Sequence, residues 1–163
     1  MVKGLDELLV SLPVEGYPVN VGTLVERLST KADSFTIGYE VIPLGVRGTV
    51  SSVGGIVTFC VNASDSVENQ RVTLGYCLGW FLYCVSVRNL DSFSFEFGEK
   101  VEGSFVLLRD AGVIEFVYNL LMPRRVISDI IVNNPEVSLV GLANFFGVTL
   151  SVMDSRLSFL GYV

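Results

Sequence analysis

The spacing of apolar positions changes along the chain, and each change marks an element. "LDELLVSL", from Leu5 to Leu12, carries weak helical spacing. "YPVNVGTLVERLS" reads as an extended entry, with Asn20 as a cap and a short helix to about Ser29. The period then drops to two. "FTIGYEVIP", from Phe35 to Pro43, alternates and is rich in aromatic and β-branched residues, as a strand should be. "RGTVSSV" and "GIVTFCVN" give two further strands, separated by Gly54 and Gly55, a pair that suits a tight hairpin turn. "NASDS", residues 62–66, supplies a polar turn and capping side chains. From Val67 to about Val87 the chain is almost continuously apolar, which predicts a helix wanting burial on every side.

"RNLDSFSFEFGEKVEGS" reads as an irregular stretch, a lid or contact loop over 88–104. "FVLLRDAGVIEFVYNLLM" returns to helical period and is stopped by Pro123. "RRVISDIIVNN" predicts a short helix ended by Asn133, Asn134 and Pro135. "EVSLVGLANFFG" and "LSVMDSRLSFLG" predict two helices with Gly147 at the turn. The order predicts an α+β fold: a small antiparallel three-stranded sheet packed on helices, with a helical C-terminal tail.

Composition narrows the chemistry. Half of the 163 residues are apolar, enough for a sizeable core in a single domain over 1–163. The net charge of −6 opposes nonspecific binding to a phosphate backbone, so direct nucleic-acid binding is not expected. There is no histidine, which removes the most frequent general base and a leading zinc ligand. Cys60, Cys77 and Cys84 are odd in number and form no CxxC pair, which suits buried thiols in a reducing compartment. Cys77 and Cys84 on one helix would stand about 10.5 Å apart, beyond bridging distance. The uncharged run from Val72 to Val87 is shorter than the ~20 residues a membrane helix needs. The opening residues, with acids and Pro13, lack the apolar run of a signal peptide. A cytoplasmic protein is expected.

The motif "RVTLGYCLGW", Arg71 to Trp80, resembles the metal-site helix of the ImmA/IrrE metallopeptidase-like proteins, which reads like RFTLAHELGH. Arg71, Thr73, Leu74, Leu78 and Gly79 match. "GVIEFVYNLLMP", Gly112 to Pro123, is similar to that family's third-ligand helix, ExxANxFAAxLLMP. "LANFFGVTLSVMDSRLSFLG" is similar to its tail, LAxxFGVSxxAVxxRLxxLG, with agreement at Gly147, Arg156 and Gly161 among others. "YPVNVGTLVERL" is similar to the entry segment. The resemblance covers roughly 17–163 and implies a zincin-like core over 17–122 and a helix-turn-helix-like tail over 123–163.

The departures bear on activity. In a working HExxH helix the two histidines, four apart, hold the metal and the glutamate polarises water. Here those two places hold Tyr76 and Trp80, the glutamate place holds Cys77, and the third-ligand place holds Gly112. Asp110 and Glu115 flank that last position, more as a solvated helix face than as displaced ligands. The resemblance therefore implies a pseudo-peptidase with no catalytic residues, no metal and no cofactor. Tyr76, Cys77, Trp80, Gly112 and Glu115 are then candidate partner contacts in a cleft plugged by aromatic rings. The bland reading of Tyr76 and Trp80 is core packing. Without histidine, Cys77 has no visible activator.

Family members are implied to act on transcriptional regulators, often carried by phages and mobile elements. A metal-free relative is expected to bind such a regulator in the manner of an antirepressor or decoy. The alternative is an assembly subunit of a homo-oligomer. The tail as a DNA reader is disfavoured, because "LSVMDSRLSF" offers only Arg156, beside Asp154.

Overall fold

A computed structural model describes residues 3–28, 34–42, 45–88, 90–98 and 111–163. Among these, seven helices and four strands form an α+β arrangement. The strands are β1 (Ser34–Glu40), β2 (Val46–Val53), β3 (Ile56–Asn62) and β4 (Phe93–Gly98). The helices are α1 (Lys3–Ser11), α2 (Val21–Leu28), α3 (Val67–Leu82), α4 (Ala111–Leu121), α5 (Arg124–Asn133), α6 (Leu139–Phe146) and α7 (Leu150–Leu160).

The expected three-stranded antiparallel sheet is replaced by a four-stranded mixed sheet in the order β1-β3-β2-β4. Two features account for the difference. Gly54 and Gly55, both with positive φ, make the expected hairpin and fold β3 back into the space between β2 and β1. β1 then pairs with β3 and runs parallel to it, not antiparallel to β2. The fourth strand lies in "FSFEFG", where Phe93, Phe95 and Phe97 alternate with Ser94 and Glu96 and pair antiparallel with β2. That period of two was hidden inside a stretch whose charges and glycines suggested a loop. Residues 99–104 of that stretch, and 105–110 of the expected following helix, lie outside the described residues.

The inward rows, with Val50, Val57, Phe59 and Val61, sit against α3. The long apolar helix is wrapped as its composition demands: the sheet, α4, α1 and α2 all pack on it. It starts at Ser66, whose hydroxyl accepts from the Asn69 amide at 3.3 Å, and it ends in one π-helical turn over Tyr83–Val87. The core continues through Val113, Phe116 and Leu120 of α4 into Phe146, Met153 and Leu157 of the tail. Cys77 and Cys84 are buried as expected, whereas Cys60 is only half-buried. None of the three is in a disulfide. Among the described residues no helix is long and apolar enough to cross a membrane.

Candidate functional site

The site suggested by the sequence begins on α3, where close packing sets the geometry. Gly79 faces α4: a methyl group there would lie 2.8 Å from Phe116 Cδ1 and 3.2 Å from Val113 Cγ1. Only glycine lets the two helices approach this far. Around this joint the candidate residues leave in different directions. Cys77 is fully buried under the sheet, with its sulfur 3.7 Å from the carbonyl oxygen of Thr49 in β2. Burial pushes its thiol pKa well up, so it is a poor nucleophile. Trp80 is half-buried against the edge strand, its ring centroid 4.3 Å from that of Phe95 and 5.4 Å from that of Tyr83. Tyr76 is half-buried one turn earlier and faces the tail. Burial, and then the neighbouring Tyr118, push its phenol pKa strongly up.

Gly112 is buried near the start of α4, on the face that carries Val113 and Phe116. Glu115 is half-buried, and its charge favours the charged form of Arg156 in α7. Asp110 lies outside the described residues. Tyr76 and Trp80 thus share a helix face, whereas Cys77 points under β2 and Glu115 toward the tail.

A zinc ion needs three or four lone-pair donors aimed at one point. These positions provide a phenol held in its neutral form, an indole whose N–H only donates, a protonated thiol occupied by a backbone oxygen, and a glycine. They do not fit zinc. Among the described residues no three histidine, cysteine, aspartate or glutamate side chains gather as a metal would require.

The cleft is not fully plugged. Trp80 closes its own part against Phe95, but Tyr76 forms the wall of a pocket of about 420 Å³. Val72 and Thr73 of α3, Tyr118 of α4 and Val152 of α7 supply further walls. Arg47 and Asn69 close one side, and the hydroxyls of Thr149, Ser151 and Ser155 line the start of α7. Arg47 is paired with Asp65 through Nη1, at 3.2–3.3 Å from both carboxylate oxygens.

The tail is held in place by two arginines. Arg71 of α3 donates from Nη1 to the carbonyl of Gly147, the left-handed residue between α6 and α7. Arg156 is almost fully buried in α7. Its Nε donates to the Met122 carbonyl at 3.0 Å and its Nη2 to Asn119 Oδ1 at 2.8 Å, while the guanidinium lies over the rings of Tyr118 and Phe159. The single cation of α7 is therefore turned inward and is not presented to DNA. Thr149 caps α7, its hydroxyl accepting from Val152 N at 3.3 Å.

Sequence reasoning found Tyr76 but missed Tyr118, Arg47 and the hydroxyl row of α7 as its neighbours. Each is an ordinary residue of its own element, and only tertiary docking gathers them. No protein-family model matches the chain, and no curated protein matches it.

Proposed function

We propose that the chain is a non-catalytic relative of the ImmA/IrrE metallopeptidase-like proteins, with α3 and α4 under the sheet as a zincin-like core. In this reading it binds a transcriptional regulator as an antirepressor or decoy, without cutting it. One observation carries the proposal. The matched residues Arg71, Gly79, Gly147 and Arg156 are the joints between segments distant in sequence, while the four seats of the metal chemistry hold Tyr76, Cys77, Trp80 and Gly112. That division is what a scaffold retained for shape after losing hydrolysis should show. The partner surface centres on the Tyr76 pocket and the flanking tail.

The test is to mix the purified chain with candidate phage and mobile-element repressors and to read both complex formation and operator binding. A complex that shifts operator occupancy, with the repressor left intact, is the expected result. Neither a complex nor a change in occupancy across the set, or cleavage of the repressor in a zinc-dependent reaction, would overturn the proposal.

A second reading has its own observation. The tail exposes Val140 at 52%, Phe145 at 44%, Leu150 at 48% and Phe159 at 57%, apolar side chains available to a partner copy. This favours an assembly subunit that buries the tail between copies. Light scattering separates the readings: a stable homo-oligomer indifferent to repressors favours the second.

A further inference from the structure

We propose that the pocket between α3, α4 and α7 binds a small organic acid, a single carboxylate carried on a flat apolar body. The inference concerns the same pocket as the regulator-binding reading but does not rest on it, since small-molecule binding is read with no repressor present. The pocket is about 420 Å³, inside the range of about 300–1,000 Å³ usual for such ligands. Its chemistry is asymmetric. The Tyr76 and Tyr118 rings, with Val72 and Val152, offer flat and branched apolar walls that suit a planar body. The polar side chains of the lining include the Arg47 guanidinium and the hydroxyls of Tyr76 and Ser151, whereas the Ser155 hydroxyl donates to the Ser151 carbonyl at 2.9 Å.

No carboxylate is among the described residues that line the pocket, although the chain has 17 acidic residues against 11 basic ones. A ligand amine would find no acid in that lining, since the nearby Asp65 is already paired with Arg47. An acceptor-only head, by contrast, can be satisfied by hydroxyl donors and the cation together. Asp65 shares the Arg47 charge from outside this lining, so the hydroxyls carry much of the recognition. Tyr76 is the best placed of them. Burial, and then the neighbouring Tyr118, disfavour its phenolate, so it lines the pocket as a protonated O–H donor. At the other wall, Ser151 sits in the first turn of α7, exposed at the rim.

The experiment titrates the full chain with benzoate, benzamide and benzylamine, which share a ring and differ in the head group. Amide and side-chain NMR shifts locate binding and give affinities. Benzoate is expected to saturate, with shifts confined to Tyr76, Tyr118 and the start of α7, and to bind about tenfold or more tighter than benzamide, as a charge-assisted head should. Ser151→Asp places a negative charge at the rim while suiting the N-terminal end of α7, so the fold should hold. It should weaken benzoate about tenfold and leave benzamide nearly unchanged. Tyr76→Phe keeps the ring and should weaken benzoate severalfold. Equal affinity for benzoate and benzamide, preference for benzylamine, no saturable binding, or benzoate binding indifferent to Ser151→Asp would each overturn the proposal.

Discussion

The docking of the tail rests on one residue whose replacement can be worked out in advance. Gly147 has φ +61 and contributes its carbonyl to Arg71. A methyl group at this position would lie 2.7 Å from Pro18 Cβ and 2.8 Å from Pro18 Cγ, and would also meet the Arg71 guanidinium. Gly147→Ala therefore carries two costs. The left-handed conformation costs an L-residue about 1–2 kcal/mol. Overpacking against a proline ring, which cannot swing aside, adds about 1–3 kcal/mol.

The chain contains its own control. Gly161 ends α7 with φ +78 and has nothing within 4 Å of the added methyl. Gly161→Ala should show the conformational cost alone, about 1–2 kcal/mol. Both replacements stiffen the unfolded chain by a similar amount, so that contribution cancels in the comparison. Urea unfolding followed by Trp80 fluorescence and by far-ultraviolet dichroism measures both. Gly147→Ala should be the less stable by about 1–3 kcal/mol, with no change in the denaturant slope. Equal losses for the two variants would refute the claim that the α6–α7 turn is wedged between Pro18 and Arg71.

Arg156→Met keeps length and apolar bulk but leaves the Met122 carbonyl and Asn119 without their cation, so it should cost about 1.5–3 kcal/mol in the same urea assay. A loss under about 0.5 kcal/mol would show that the guanidinium is not a joint. Tyr17, Tyr76 and Tyr118 all have phenol pKa values raised by burial, so the folded chain keeps their protons where the unfolded chain begins to lose them. Stability should therefore be at its full value below about pH 10 and fall as pH rises beyond it, and Tyr76→Phe should flatten that fall. An alkaline limb identical in the variant contradicts the burial of Tyr76. Mass-resolved alkylation at pH 8 should modify Cys60 first and reach Cys77 only on unfolding, because burial both covers the Cys77 thiol and raises its pKa. Cys77 labelling as fast as Cys60 labelling would place it in an open cleft.

Much of this architecture was readable from local pattern. The long helix, its start near Val67, the Gly54–Gly55 hairpin and the Gly147 turn each have a cause within a few residues: uniform apolarity, a capping serine, or glycines tolerant of positive φ. The sheet order was not readable in the same way. Whether β1 pairs with β2 or β3 depends on where the hairpin folds back, which the alternation within each strand does not specify. β4 was locally visible in the alternation of Phe93, Phe95 and Phe97 with Ser94 and Glu96, but the charges and glycines that flank it drew the whole stretch toward a loop reading. At the candidate site the sequence placed Tyr76 and Trp80 on one face of α3 by their spacing. It could not show that Cys77 turns under β2, or that Tyr118 and the α7 hydroxyls open a pocket beside Tyr76. Those facts depend on how α4 and the tail dock.

The physical contrast between joints and seats bears directly on what this body can do. A joint such as Arg71 to Gly147 tolerates little: its donor, its carbonyl and the bare glycine must all be present together. Positions 76, 77, 80 and 112, by contrast, offer no set of donors that suits zinc. Changing one of them to a ligand would not make a metal site. A carboxylate introduced at 77 would sit fully buried beneath β2, beside a backbone oxygen and a raised-pKa thiol position, where it would take up a proton before it bound a metal. Histidines at 76 and 80 would be only two ligands, and Gly112 has no side chain to supply a third. The arrangement is consistent over several elements at once, with aromatic packing at Trp80, a dry thiol at Cys77 and an open polar pocket at Tyr76. A surface built in that way recognises shape and hydrogen-bonding groups, and that is why binding, not hydrolysis, is the activity proposed for it.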